Sequence, residues 1–134
     1  MQAMKYLAVF TVIFVAACAN ISISNQADKL RTALSDYGAA LRWGRYNQAY
    51  AYHFDRDGNQ PKVDFNELEK YSVTSYKPLD PILNEDATEA TVPVEIDYYN
   101  EQYGTLKKFK YTQKWWYNPE VKRWLTASEF PVFK

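Results

Sequence analysis

The chain has 134 residues, 16 of them basic and 16 acidic, and no formal net charge. That length fits one domain, and the charge balance excludes the basic surface that a nucleic-acid binder needs. A single Cys and a single His exclude an internal disulfide and a cysteine metal cluster and remove most zinc and di-iron designs, so neither metal nor cofactor is expected.

Residues 1–17 read as an export leader. Lys5 supplies a short positive start, and Met4-Lys5 is a more usual beginning than Met1. Tyr6 to Val15 is apolar except for Thr11, which suits a signal-peptide core and falls short of the roughly 20 residues of a spanning helix. The run ends Val15-Ala16-Ala17-Cys18. This resembles the lipobox of bacterial lipoproteins, with valine where leucine is commoner. The resemblance implies cleavage before Cys18, a diacylglyceryl group on its thiol and an acylated new N-terminus. Two or more chains are what stable anchoring requires. Ala19 in place of aspartate resembles the default signal for the outer membrane, which would leave the domain facing the periplasm. A plain secretory signal with Ala-x-Ala cleavage and an uncleaved anchor are the alternatives. Lys5 is the leader's only charge, so the remainder carries one net negative charge.

Residues 18–26 are small and polar and read as a tether, with Ser24 or Asn25 able to cap a helix. Residues 27–134 read as a single α+β domain. Ala27, Leu30, Leu34, Tyr37 and Leu41 fall at spacings of three and four, an amphipathic helix. Gly44 interrupts it. Tyr46, Ala49, Tyr50 and His53 or Phe54 predict a second helix. Asp55 to Pro61 is a loop by every local signal. Asp64, with Glu67 three residues on, predicts the capped start of a third helix through Tyr71. The period then changes to two. A strand is expected from Ser72 to about Lys77, limited or held at an edge by Pro78 and Pro81. Val92, Val94, Ile96 and Tyr98 alternate with Glu95 and Asp97. Gly104 marks a turn. Phe109, Tyr111, Trp115 and Tyr117 then alternate with Lys108, Lys110, Thr112 and Lys114. Asn118-Pro119-Glu120 turns into a shorter strand from Arg123 to Ala127. The order is three helices followed by an antiparallel sheet of about four strands.

Trp43-Gly44-Arg45-Tyr46-Asn47-Gln48-Ala49-Tyr50 is similar to the start of the second helix in the nuclear transport factor 2-like (ketosteroid-isomerase-like) superfamily. Lys114 to Leu125, with tryptophans on both arms, resembles that superfamily's last hairpin. The resemblance implies a bent sheet wrapping the helices into an open cone. It implies little about activity, because the fold hosts enzymes, ligand carriers and interaction modules.

His53 is the one histidine. In enzymes of this superfamily a His-Asp pair or a lone pocket carboxylate does acid-base work, which makes His53 and Asp97 the weak catalytic candidates, with Asp55 and Asp57 as other partners. The bland reading of His53 is a cation at a helix C-terminus. The bland reading of Glu95 and Asp97 is cross-strand pairing with Lys108, Lys110 or Lys114 on a solvated face. Those lysines, with Lys107, also suit anionic lipid or peptidoglycan, or simply keep the face soluble. Trp115 and Trp116 are adjacent and point to opposite faces, so at most one is core. Trp116 is the better recognition residue, with Trp43, Tyr46 and Tyr50 as further candidates for a pocket or for stacking on sugar rings. Asp55-Arg56-Asp57-Gly58-Asn59 resembles the start of a calcium loop but lacks the downstream acid, so it reads as a turn.

These readings converge on a membrane-anchored envelope lipoprotein, lipid-modified at Cys18, whose domain is a non-enzymatic binding or accessory module. Its partners would be the membrane and an envelope protein or apolar ligand. The alternatives are an enzyme of ketosteroid-isomerase or dehydratase type using His53 and an aspartate, and a carrier of an apolar small molecule. The enzyme predicts a closed apolar pocket around His53 or Asp97. The interaction module predicts a filled core and an exposed aromatic patch at Trp116.

Overall fold

The structure, a computed structural model, describes residues 23–134. Cys18, the leader and the first part of the tether lie outside the described residues. Helix α1 covers residues 23–42. Leu30, Ala33, Leu34, Tyr37, Ala40 and Leu41 are buried along one stripe of it, the spacing that an amphipathic helix requires. It ends in a paired closure: Arg45 N–H donates to the Ala40 carbonyl at 2.8 Å and Gly44 N–H to that of Leu41 at 3.2 Å. Gly44 takes φ +68°, which costs glycine little. The helix is already formed at residue 23, so Ser24 and Asn25 lie within it and do not cap its start. Residues 23–26 of the expected tether are thus helical, and its first part lies outside the described residues. Gln26 belongs to the domain, its carbonyl accepting from Trp124 Nε1 at 2.9 Å.

Helices α2 (Tyr46–Tyr50) and α3 (Phe65–Leu68) are shorter than their patterns predicted. After Tyr50 the chain leaves the helix to run beside the sheet. His53 pairs in parallel with Thr126, and Phe54 N–H donates to the Thr126 carbonyl at 3.0 Å. At α3 the expected cap is present: Asp64 Oδ1 accepts from Asn66 N–H at 3.1 Å and Glu67 N–H at 3.3 Å. Tyr71 does not extend that helix but opens the first strand.

Five strands follow: β1 (Tyr71–Pro78), β2 (Ile82–Leu83), β3 (Glu89–Asn100), β4 (Leu106–Asn118) and β5 (Arg123–Thr126). They form one curled antiparallel sheet in the order β1-β3-β4-β5, with β2 also on β3. The edge position expected for the first strand is found. Pro93 sits on β3 where its partner changes from β1 to β2. Its carbonyl accepts from Leu79 N–H at 2.8 Å, so its missing N–H faces the linker between those strands and breaks no ladder bond. Ala90, Val92, Val94, Ile96 and Tyr98 point inward, joined from β4 by Gln113 and Trp115. The period-two reading of both long strands therefore holds. Against this inner face lies α1, giving the α+β layering. A last segment, 127–134, of which the sequence reading placed only Ala127, at the end of the last strand, buries Phe130 and Phe133 in the same core.

Candidate functional site

Two polar assemblies sit within the aromatic core. In the first, the Tyr37 hydroxyl on α1 donates to His53 Nε2 at 2.8 Å, and His53 Nδ1–H donates to the Ser128 carbonyl at 2.9 Å. Burial lowers the His53 pKa to about 4, against a smaller opposing effect of the Ser128 bond. The ring is therefore neutral, and both nitrogens are engaged. It packs against Tyr37 and Phe130 at centroid distances of 5.5 and 5.0 Å. His53 is thus neither the terminal residue of α2 nor a cation on its dipole, because the helix stops at Tyr50 and a buried imidazole sheds its proton.

The second assembly centres on Gln113. Its Oε1 accepts from the Tyr76 hydroxyl at 2.8 Å and from Trp115 Nε1 at 3.1 Å. Its Nε2 donates to the Tyr111 hydroxyl at 2.7 Å. Burial raises Tyr37 and Tyr76 well above the ordinary tyrosine value and pushes Tyr111 up to about 12. These phenols are hydrogen-bonding groups at neutral pH and not bases. No buried side-chain polar atom among the described residues lacks a partner. Neither His53 nor Gln113 lines any of four clefts that open on the surface of the described residues.

Asp97 lies on the outer face. Lys108 Nζ stands 3.5 Å from Asp97 and 3.5 Å from Glu95, and Lys110 stands 3.5 Å from Glu95. Partial burial pushes the Glu95 carboxyl up, but the two ammonium groups outweigh it and hold the group below its ordinary value. This is the cross-strand pairing that the alternation anticipated. His53 bonds to Tyr37 and Ser128 rather than to Asp55, Asp57 or Asp97. Asp55 closes its own turn, Oδ1 accepting from Asp57 N–H at 2.9 Å and Asn59 N–H at 2.8 Å. Among the described residues no group of three or more His, Asp and Glu could hold a metal ion.

The two adjacent tryptophans do face opposite ways. Trp115 is 1 % exposed in the core. Trp116 packs on the loop after α2: Nε1 donates to the Phe54 carbonyl at 2.8 Å, and the Arg56 guanidinium lies 5.2 Å from its ring centroid. Arg56 also pairs with Glu89, the residue opposite Trp116 in the ladder. Beside them opens a cleft of about 390 Å³ lined by Arg56, Ile82, Thr91, Lys114 and Trp116. The other candidates are not gathered here. Trp43, 72 % exposed, and Tyr46 line a separate cleft of about 340 Å³. The Tyr46 hydroxyl is bound to the Tyr71 carbonyl at 2.9 Å and that of Tyr50 to the Pro61 carbonyl at 2.8 Å. Both hydroxyls are thus engaged within the fold.

Sequence reasoning missed Gln113, Tyr76 and Ser128. For Gln113 the signal was present: alternation puts it on the face of Tyr111 and Trp115, and a lone amide there needs partners. No comparable signal marks Ser128, which contributes its backbone. Compared with known families, with characterised proteins and with solved structures, the chain matches none of them.

Proposed function

We propose that this chain is an envelope lipoprotein, anchored through lipid on Cys18, whose nuclear transport factor 2-like cone is a non-enzymatic binding or accessory module facing the periplasm from the outer membrane. The observation that carries the non-enzymatic part is the engagement of both His53 nitrogens in a filled core. An acid-base residue must present a free nitrogen or a hydrogen bond to bound substrate, and this ring offers its bonds to Tyr37 and Ser128 instead. The address rests on Val15-Ala16-Ala17-Cys18 at the end of a short apolar run. The described residues hold no helix long and apolar enough to cross a membrane. The surface best suited to a protein partner is the outer face at Trp116, where an indole, Arg56 and Lys114 flank exposed Ile82.

Expression of the full chain in a bacterial host tests the proposal. The expected product stays with membranes through a high-salt wash, yields to detergent, and has the mass of the chain from Cys18 plus acyl groups. Cys18→Ser should remove the added mass and release the domain. Wild-type protein with an unmodified Cys18 would sink the anchor. A photo-crosslinker at position 116 should give a discrete adduct in intact envelopes that Arg56→Glu weakens. Turnover of a small substrate that His53→Gln abolishes, with the fold intact, would overturn the non-enzymatic reading.

A further inference from the structure

A different cleft, of about 150 Å³, opens between α3 and the segment at Phe130–Phe133. Its walls reach the core: Leu68, Phe130 and Phe133 are 6 %, 5 % and 7 % exposed, and Tyr71, Val63, Pro131 and the exposed Val132 complete the apolar lining. Three of these seven residues are aromatic. Tyr71 already meets Tyr98 and Phe133 at centroid distances of 5.8 and 5.9 Å, the tilted, edge-on spacing that another ring extends favourably. Charge at the rim is balanced. Glu67 holds Lys70 at 2.6 Å, Asp64 is occupied with two backbone N–H groups, and Lys62 supplies a second cation. A charged ligand therefore gains no net attraction, and desolvating it against these walls is costly.

Volume then sets size. Apolar cavities of about 150 Å³ take benzene, whereas sites for drug-sized molecules run from about 300 Å³ upward. The cleft is open to solvent on one side, so this volume sets what its walls can enclose, about one ring, and the remainder of a fused-ring molecule or a long acyl chain would stay in water. We infer that the cleft is a binding site for one small uncharged aromatic ring, of benzene to phenol size, distinct from the anchor and from the outer face at Trp116.

The test is titration of purified full-length chain with phenol, followed by backbone amide shifts. Saturable shifts centred on Leu68, Tyr71, Phe130 and Phe133 are expected. Val63→Phe, which fills the cleft from a half-buried position, should weaken phenol at least tenfold with an unchanged far-ultraviolet spectrum. Phe133→Leu, which enlarges it, should admit indole more tightly than the wild type does. No saturation up to the solubility of phenol, equal binding by Val63→Phe, or tighter binding of hexanoate than of phenol would each overturn the inference. Saturation by a phenylalanine-bearing peptide at these residues, with none by phenol, would also overturn it and would assign the cleft to a partner's side chain. None of these results bears on Cys18.

Discussion

A buried imidazole with both nitrogens engaged makes His53 a determinant of stability, and its pKa fixes the sign. The ring titrates near its ordinary value of 6.5 in the unfolded chain and at about 4 in the fold. As pH falls from 6.5 to 4 the unfolded state takes up a proton that the native state does not. The stabilisation is therefore complete above pH 6.5 and lost on the way down to 4, by about 3 kcal/mol in all. Urea unfolding at pH 7.5 and pH 4.5 measures the loss. His53→Gln should shrink it, because an amide can still donate to Ser128 and accept from Tyr37 but does not titrate. Tyr37→Phe tests the other half of the pair. It leaves Nε2 buried and unpartnered, at a cost of about 1–3 kcal/mol at pH 7.5, with the far-ultraviolet spectrum unchanged.

At the scale of elements, α1 packs directly on the Tyr76 ring of β1 at Gly38. A Cβ there would stand 2.4 Å from Tyr76 Cδ1 and 3.1 Å from Cγ. These atoms lie near the root of the ring, whose hydroxyl is tied to Gln113, so the ring cannot swing clear without breaking that bond. Gly38→Ala gains about 1 kcal/mol of helix propensity but forces overpacking worth about 1–3 kcal/mol and strains the Tyr76 bond. The expected net is a loss of about 1–2 kcal/mol in urea unfolding, and a gain would show that α1 shifts freely over the sheet. Patterns like these mark what sequence could and could not supply. Period two placed the inner faces of β3 and β4 correctly, because a strand with one buried face has a single workable register. Period three-to-four found α1 but overran α2, since His53 or Phe54 fits the stripe of Tyr46, Ala49 and Tyr50 while edge pairing to Thr126 decides their conformation. The same limit hid the segment after β5, where two phenylalanines flank a proline and no period shows. Of the candidate site, the outward Trp116 and the Glu95, Asp97 and Lys108 pairing were legible locally. The partners of His53 were not, because Tyr37 and Ser128 come from distant parts of the chain.

In the whole molecule the two polar assemblies knit α1, β1, β4 and the segment 127–134 around one core, so a charge placed at Gln113 should be felt as a loss of global stability. Gln113→Glu makes the sign explicit. Protonated, the new carboxyl reproduces all three bonds: it accepts from Tyr76 and Trp115 and donates to Tyr111. Ionised, it loses the donor and sits as a buried anion. Burial raises its native pKa above the ordinary glutamate value of about 4.3. The unfolded chain therefore gives up its proton first as pH rises, and stability falls from about pH 4.3 upward until the native carboxyl ionises as well. The wild type runs the other way between pH 4 and 6.5, because there His53 dominates. The variant keeps His53, so its pH dependence is the His53 gain less the loss at position 113, and urea unfolding between pH 4.5 and 7.5 should show the wild type gaining stability and the variant gaining much less or losing it. The variant should be close to wild type at the lower pH and several kcal/mol weaker at the higher. Parallel slopes would mean that water reaches Gln113 and that the core is not closed around it. Circular dichroism and tryptophan fluorescence should follow one transition in both proteins, since Trp115 and Gln113 belong to the same packed unit.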